Sequence, residues 1–206
     1  MAHYRLILPA FLLLMLVARA SLAGPGILLL AHGGSAEWNA RVTDLAAQVN
    51  KTTPTEVAFG MAARASMQAA VDRLVARGVT EIVAVPLFVS SWSSVITSTE
   101  YLLGQRRDAP AALALFATMN HGDGQHDSLH PASDGTTPVK SPVPVRMTPA
   151  HEDHPIVADI LASRARSISR NQQDEAVILV AHGPGGDDEN NRWLADMATL
   201  AKRIDA

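Results

Sequence analysis

The sequence predicts an α/β protein built on a parallel sheet with helices on both faces. Short apolar runs of strand length alternate with amphipathic segments of helical period, which is the pattern of repeated strand–helix units. Two of these runs, at 27–31 and 177–181, each end with an alanine that is followed by His-Gly. Parallel strands are joined by right-handed crossovers, so this order of elements places helices on both sides of the sheet.

The first predicted strand, at 27–31, is an uninterrupted apolar run, which is typical of a strand buried on both faces. It ends at His32, which is followed by Gly33 and Gly34. Apolar residues then recur at the spacing of one helix face, at Trp38, Val42, Leu45 and Val49. These features predict one strand–helix unit with a histidine at its turn.

The alternation of strands and helices continues along the chain. Further strands are predicted at 56–59, 81–89 and 111–118, and a helix over 95–105 separates the last two. We also predict a helix between the strands at 56–59 and 81–89. It should end at Gly78, because glycine suits the C′ position. Its apolar stripe consists of Met67, Val71, Leu74 and Val75.

Two helices and a fifth strand are predicted in the last part of the chain. One helix should begin at Pro155, because proline suits the first turn of a helix. The fifth strand is predicted at 176–181 and the last helix at 188–204. The apolar stripe of the first of these helices consists of Ile156, Ile160, Leu161 and Ile168.

The two histidine-bearing segments indicate an internal repeat. Residues 28–33 match residues 178–183, so the second copy lies 150 residues after the first. This distance is too long for a solenoid unit and predicts two tandem lobes. We assign 24–172 to the first lobe and 173–206 to the start of a second lobe, which is incomplete in this sequence through truncation or decay.

Residues 120–144 interrupt the pattern of the first lobe. The segment is rich in Gly, Asp, Ser, Pro and His and has no apolar period, so we predict an inserted loop. We place it between the fourth strand and the last helix of the lobe, where it leaves the carboxyl end of that strand. Ligand crevices of open parallel sheets lie at this edge, where His32 is also expected.

The N-terminal residues 1–23 are predicted to be a signal peptide. Arg5 supplies a positive charge, 6–17 is an apolar segment, and Ser21 and Ala23 are small residues suited to cleavage after Ala23. The alternative is an uncleaved membrane anchor, for which the apolar run is short. We therefore expect export, to the periplasm, with no stable membrane association after cleavage.

The composition excludes several classes of function. A net charge of −3 and 4% aromatic residues indicate no nucleic-acid surface. The absence of cysteine excludes disulfides and thiolate sites, so a transition metal would need histidine and oxygen ligands. The chain has no Walker A, Gly-x-Gly-x-x-Gly or Gly-x-Ser-x-Gly motif, and we expect no organic cofactor.

His32 is the strongest candidate for chemistry. An imidazole at a strand end can bind a divalent metal or accept a proton near neutral pH. Gly33 and Gly34 let the backbone approach a ligand, and the helix that begins near Ser35 could receive a carboxylate. The alternative is a structural histidine, but its repetition at His182 favours function in at least one copy.

The inserted loop contains a second group of candidate ligands. His121, His126 and His130, with Asp123 and Asp127 between them, could coordinate a borderline cation. The alternative is a solvated polar linker, and the expected position at the crevice favours the metal site.

His151 and His154 lie three residues apart across a predicted helix start. This is not the spacing of a zinc helix, so we predict structural or capping roles for both.

The strand ending in Ala-His-Gly, the strand end at 85–89 and the repeat at 177–183 resemble the class II chelatases of the sirohydrochlorin cobaltochelatase type. The resemblance implies two similar α/β lobes, fused or paired as a homodimer of short chains. It implies insertion of cobalt, or in relatives nickel or iron, into a tetrapyrrole in cobalamin or other tetrapyrrole synthesis. The divalent metal ion is then a substrate, and no organic cofactor is implied.

The family's pattern also implies site residues. His32 corresponds to the first metal-site and catalytic histidine, and a second histidine usually follows the Pro-x-Phe strand, where this chain has Ser94. We expect His121 to take over that role. Ser90 and Ser91 are expected to meet the substrate.

Two functions follow from these expectations. The first is an exported cobaltochelatase-like enzyme. The second is a non-catalytic, exported metal-binding protein of chelatase fold, in which the loop histidines capture cobalt or nickel. Ser94 and the incomplete second lobe favour the second function, whereas His32 allows either.

Overall fold

A computed structural model describes residues 24–119 and 135–204 of the chain. Its centre is a four-stranded parallel sheet of order β2-β1-β3-β4, which confirms the predicted α/β class. The strands are β1 (Pro25–Ala31), β2 (Thr55–Phe59), β3 (Glu81–Pro86) and β4 (Val145–Met147).

Helices connect and follow these strands in chain order. They are α1 (Ala36–Val49), α2 (Arg64–Ala76), α3 (Ser94–Leu102), α4 (Leu113–Thr118), α5 (Pro155–Ile168) and α6 (Asp187–Ile204). The path from β1 to β2 and the path from β2 to β3 run in opposite directions across the sheet. Right-handed crossovers therefore place α1 and α2 on opposite faces.

The prediction that the first strand is buried on both faces is confirmed. Four consecutive residues of β1, Leu28 to Ala31, are each at most 5% exposed, although their side chains alternate between the two faces. Leu28 and Leu30 belong to the main core cluster, together with residues of α2, β3, α3 and α4. The strand with the histidine at its end is thus an inner strand of the sheet and part of the main core.

The helices α1 and α2 form where their sequence patterns predict them. Ser35 caps α1 by accepting a hydrogen bond from the backbone N–H of Trp38 at 3.2 Å. The buried face of α1 is narrower than predicted, because Val42 is buried whereas Leu45 is 42% exposed. Gly78 has φ +75° directly after the C-cap of α2, which confirms it as the C′ residue.

The predicted fourth strand at 111–118 is wrong. Most of this run forms the short helix α4, in which Leu113 and Phe116 are buried and Leu115 is 56% exposed. Burial at i and i+3 is the helical period, and the alanines of the run favour a helix. A short apolar run cannot be assigned to strand or helix by hydrophobicity alone.

The fourth strand of the sheet is β4, which pairs with β3 and begins directly after Pro144. The predicted insertion therefore precedes the fourth strand and does not leave its carboxyl end. Residues 135–144 contain neither helix nor strand, and residues 120–134 lie outside the described part of the chain.

The described flanks of that segment nevertheless lie near the carboxyl edge of the sheet. A Cβ atom added to Gly135 would lie 2.8 Å from the Cβ of Ala117, so the two flanks are adjacent. The carbonyl oxygen of Thr137 accepts a hydrogen bond from Arg64 Nε at 3.0 Å. Arg64 is the first residue of α2, just after the carboxyl end of β2.

Helix α5 begins at Pro155 as predicted, but its predicted apolar stripe is not buried. Ile156, Ile160 and Ile168 are 60%, 48% and 82% exposed. The buried residues of α5 are Ala158 and Ala162, and α5 packs against α6. Leu161, the fourth residue of the predicted stripe, is half-buried, so the buried residues of α5 are small and its isoleucines are exposed.

The predicted fifth strand at 176–181 is absent from the described structure. Val177, Ile178 and Val180 are 54%, 82% and 88% exposed. The matching residues of β1 are held between β2 and β3, whereas no strand pairs with 176–181 in the described residues. A strand requires partners for its backbone groups, so the repeated sequence alone does not make one.

None of the helices in the described residues combines the length and the apolar character that a membrane span requires. The predicted signal peptide at 1–23 lies outside those residues, so its cleavage and the export that follows stay predictions.

Candidate functional site

The carboxyl ends of all four strands meet at one edge of the sheet, because the strands are parallel. The loop after β2 begins with Gly60, whose N–H donates to the carbonyl of Ala31 at 2.9 Å. The loop after β3 begins with Leu87, whose N–H donates to the carbonyl of Leu30 at 2.8 Å. His32 follows β1 between these loops, at the edge where parallel sheets bind ligands.

A hydrogen bond to the backbone sets the tautomer of His32. Its Nδ1 lies 2.8 Å from the carbonyl oxygen of Gly33. A carbonyl oxygen only accepts, so Nδ1 carries the proton and the lone pair of the neutral ring is on Nε2. Imidazoles that bind metal through one nitrogen commonly donate from the other in this way. Gly33 makes the geometry possible with a φ of +83°.

The next residues form the start of α1. The N–H of Gly34 donates to the side-chain oxygen of Asn39 at 3.0 Å, and the hydroxyl of Ser35 is the N-cap. Trp38 packs edge to face on Phe59 at the end of β2, with 6.5 Å between ring centroids. The loop after His32 is therefore fixed from both the helix and the neighbouring strand. The predicted substrate roles of Gly33, Gly34 and Ser35 stay predictions.

The loop after β3 contains the predicted residues Ser90 and Ser91, and Ser94 follows it. Ser90 is 2% exposed and its hydroxyl accepts from the N–H of Trp92 at 3.2 Å, so this side chain shapes the loop. Ser91 is half-buried and its hydroxyl accepts from the N–H of Ala150 at 2.8 Å. Ser94 is the first residue of α3, after the N-cap Ser93. Of these serines, Ser91 is better placed than Ser90 to meet a ligand.

The loop after β4 also lies at the carboxyl edge of the sheet, a position that was not predicted from the sequence. The N–H groups of His151 and Glu152 donate to the carbonyls of Phe88 and Val89 at 3.0 and 2.8 Å. His151 and His154 were both identified in the sequence as structural or capping residues, from their spacing around Pro155. Because the fourth strand was predicted at 111–118, the sequence did not place their loop at this edge.

The predicted capping role of His154 is confirmed. Its Nδ1 accepts a hydrogen bond from the N–H of Ile156 at 3.2 Å at the start of α5. Partial burial, and then the nearby His154, lower the pKa of His151. The ring of His151 is thus biased toward its neutral form.

Helix α6 reaches this edge through contacts with Trp92. The guanidinium carbon of Arg192 lies 4.4 Å from the centroid of the Trp92 ring. Burial, and then the carboxylates Glu152 and Asp153, raise the pKa of Asp196, while a hydrogen bond from the Trp92 side chain opposes this shift. These contacts bring α6 to the carboxyl edge of the sheet, which the sequence did not indicate.

A cavity of about 300 Å³ lies beside this contact, between α3 and the loop after β4. Two carboxylates, Glu100 and Glu152, line it together with the hydroxyls of Ser91 and Thr148. Its apolar wall is formed by Trp92, Ile96, Met147 and Pro149. The negative charge makes this cavity unsuited to the carboxylates of an anionic ligand.

The predicted metal ligands are only partly within the described structure. Within 24–119 and 135–204, no group of three or more His, Asp or Glu side chains could hold a metal ion. His121, His126 and His130 lie outside these residues, so the predicted ligand set stays a prediction.

His182 repeats the local geometry of His32. Its Nδ1 lies 2.7 Å from the carbonyl oxygen of Gly183, and Gly183 has φ +73°. Unlike His32, it follows an exposed segment and not a strand of the sheet.

Comparison with known protein families agrees with this fold. The model of the CbiX family matches residues 26–168, more than half of the chain, from β1 to the end of α5. No curated protein sequence matches the chain. The match includes His32 and the loops after β1, β3 and β4. The chain therefore belongs to the CbiX family, the class II chelatases that insert metal into a tetrapyrrole.

Proposed function

We propose that this chain is a sirohydrochlorin cobaltochelatase-like enzyme. It inserts divalent cobalt into a sirohydrochlorin-like tetrapyrrole in cobalamin or related tetrapyrrole synthesis, with nickel and iron as the other candidate metals. The observation that carries the proposal is His32, a histidine of defined tautomer at the ligand edge of a CbiX-family sheet. No organic cofactor is needed for this reaction.

The chemistry assigned to His32 follows from its geometry. Because Nδ1 donates to the carbonyl of Gly33, Nε2 is the atom that binds the divalent ion or accepts a proton. Metal insertion replaces the pyrrole N–H protons by the ion, and imidazole is a suitable acceptor for them near neutral pH. The backbone at Gly34 and the start of α1 at Ser35 are assigned to the substrate's carboxylates, because helix N-termini attract anions.

The second metal ligand is assigned to the histidine-rich segment. Ser94 stands where the family resemblance places a second histidine, and a hydroxyl is a poor ligand for cobalt. The described flanks of the segment lie beside Ala117 and Arg64, near the carboxyl edge. We therefore assign His121, with His126 and His130, to the metal site beside His32.

The proposed location of the protein is the periplasm, after removal of residues 1–23. The support is the charged, apolar and small-residue order of that segment. N-terminal sequencing of the protein secreted by a bacterial host tests it: a mature chain beginning at Gly24 is expected, and a retained Met1 in the cytoplasm rejects it.

A homodimer is also proposed, because the apolar side chains of Val177, Ile178 and Val180 are exposed in the single chain. Light scattering after size-exclusion chromatography tests this proposal. A mass of twice the chain is expected, and the mass of one chain at micromolar concentration rejects it.

The enzyme proposal is tested by following metal insertion spectrophotometrically. Sirohydrochlorin is mixed with the purified full chain and Co²⁺, Ni²⁺ or Fe²⁺ in separate reactions. We expect a change in the absorption of the macrocycle that is fastest with Co²⁺ and that depends on protein concentration. Binding of the metal without turnover of any tetrapyrrole would reject the enzyme.

The second candidate function is a non-catalytic, exported metal-binding protein of chelatase fold. The observation that favours it is Ser94 at the start of α3, in place of a second histidine. Calorimetric titration with Co²⁺ of the double variant His32→Ala, His121→Ala tests the ligand assignment shared by both functions. Loss of tight binding is expected, and unchanged affinity would move the metal site elsewhere.

A further inference from the structure

Helix α6 belongs to the second repeat but contacts a loop of the first lobe. The contact is made on the side chain of Trp92, within residues 89–93 of the loop that joins β3 to α3. Arg192 of α6 covers one face of the indole, with its guanidinium carbon 4.4 Å from the ring centroid. This distance is within the range of a cation–π interaction.

The face of α6 that carries Arg192 also carries Asp196. Asp196 lies one helical turn after Arg192, so both side chains project from one side of the helix. Burial raises the pKa of Asp196, and the neighbouring Trp92 side chain opposes this shift. Arg192 therefore covers the indole of Trp92, and Asp196 lies beside it.

The loop that carries Trp92 is itself tightly bonded, so the position of the ring and that of the loop are linked. The N–H of Trp92 donates to the hydroxyl of Ser90 at 3.2 Å, and the hydroxyl of Ser93 donates to the carbonyl of Ser90 at 3.3 Å. Ser93 then caps α3. A displacement of the indole would therefore be transmitted to the loop at the ligand edge.

A second contact of α6 attaches the helix without involving the Trp92 side chain. Arg203, near the end of the helix, forms an ion pair with Asp153 at 3.3 Å, and both side chains are more than a third exposed. That ion pair joins α6 to the loop after β4 and not to the Trp92 side chain. The variant Arg203→Ala is therefore a matched control, because it also removes an arginine from α6.

We infer that α6 is a positioning element for the substrate edge of the first lobe. Arg192 holds Trp92, and Trp92 fixes the loop 89–93 that borders the tetrapyrrole site. The inference deepens the proposed chelatase function and rests on it for the identity of the ligand. It assigns the described part of the second repeat a role in the first lobe, independent of His182. Trp92 and Arg192 are positioning residues and not catalytic ones.

The experiment compares the full chain with Arg192→Ala, Arg192→Lys and Arg203→Ala. Hydrogen exchange of the amides of 89–94, measured without ligand, reports the order of the loop. Kinetics of cobalt insertion into sirohydrochlorin report KM and kcat. We expect Arg192→Ala to raise exchange in the loop and to raise KM about two- to five-fold at unchanged kcat, as loss of an exposed cation–π contact implies. Arg192→Lys should restore part of both effects.

The control variant Arg203→Ala should leave loop exchange and KM at their wild-type values. Equal loop exchange in Arg192→Ala and the wild type would overturn the inference, as would an equal effect of Arg203→Ala. If the wild type does not turn over any tetrapyrrole, the proposed function fails. The exchange comparison still decides whether α6 orders the loop.

Discussion

His32 and His182, 150 residues apart, make the same hydrogen bond. In each, Nδ1 lies close to the carbonyl oxygen of the following glycine, at 2.8 Å for His32 and 2.7 Å for His182. In each, that glycine has a positive φ, +83° at Gly33 and +73° at Gly183. The local turn is therefore a property of the repeated sequence, whereas the strand that precedes it depends on partners. The two copies therefore share the turn but not the strand in the described residues.

The first prediction compares matching residues of the two copies. Leu28 is fully buried in β1, whereas the matching Ile178 is 82% exposed. Leu28→Ala should lower the free energy of unfolding by about 2–5 kcal/mol, as truncations in a packed core do. In the monomer, measured at a concentration below that at which the chain dimerises, Ile178→Ala should change it by less than about 0.5 kcal/mol. Urea unfolding followed by circular dichroism measures both, and a comparable loss in the two variants would show that 176–181 is buried in solution.

The second prediction concerns the turn after His32. Gly33 has φ +83°, and an added Cβ would meet Phe59 only at ordinary contact distance, so the cost of Gly33→Ala is backbone strain of about 1–2 kcal/mol. Gly34 has no such backbone requirement, and a Cβ there would lie 3.8 Å from Trp38. Gly34→Ala is therefore the control and should be nearly neutral. Equal stability of the two variants in thermal unfolding would refute the requirement for glycine at 33.

The fold could be predicted where local pattern and burial agree. The strand β1 is apolar at every position from 27 to 31 and is buried at the centre of the sheet, so its sequence admits few alternatives. The run at 111–118 is equally apolar, but it does not form a strand of the sheet. Its place in the sheet is taken by β4, a strand of three residues after Pro144 that carries almost no pattern. The segment is a strand because it pairs with β3, and the sequence of one short segment does not reveal such pairing.

The site was predictable only where its residues follow a strand directly. His32 lies next to β1 in the chain, so the prediction of the strand also located the histidine. Trp92 and Arg192 meet across 100 positions of sequence, and their contact depends on how α6 packs. The mistaken strand also misplaced the loop of His151, because that loop's position follows from β4. The contact of Trp92 with Arg192 and the position of the His151 loop both depend on long-range packing. The local periodicity of the sequence does not reveal such packing.

The third prediction is a pH dependence of stability at His151. Its pKa in the folded chain is lowered, first by burial and then by His154, so the unfolded chain takes up the proton first as pH falls. The free energy of unfolding should therefore decrease as pH falls below about 6.5, the ordinary pKa of histidine, toward the lower pKa of the folded chain. His151→Gln should remove this part of the decrease, and His154→Gln should weaken it. Urea midpoints between neutral and mildly acidic pH measure the effect, which is disproved by identical profiles for His151→Gln and the wild type.

The most direct test of the account compares His32→Ala with His182→Ala in the spectrophotometric assay of cobalt insertion into sirohydrochlorin. The two variants remove the same side chain from the same local turn, but of the two only His32 directly follows a strand of the sheet in the described residues. His32→Ala should lower kcat by about 100-fold or more, the range expected for loss of a residue that accepts protons in the reaction. His182→Ala should retain the wild-type rate. Equal rates for His32→Ala and the wild type, or an equal loss in both variants, would contradict the assignment of His32 as the metal-transfer residue.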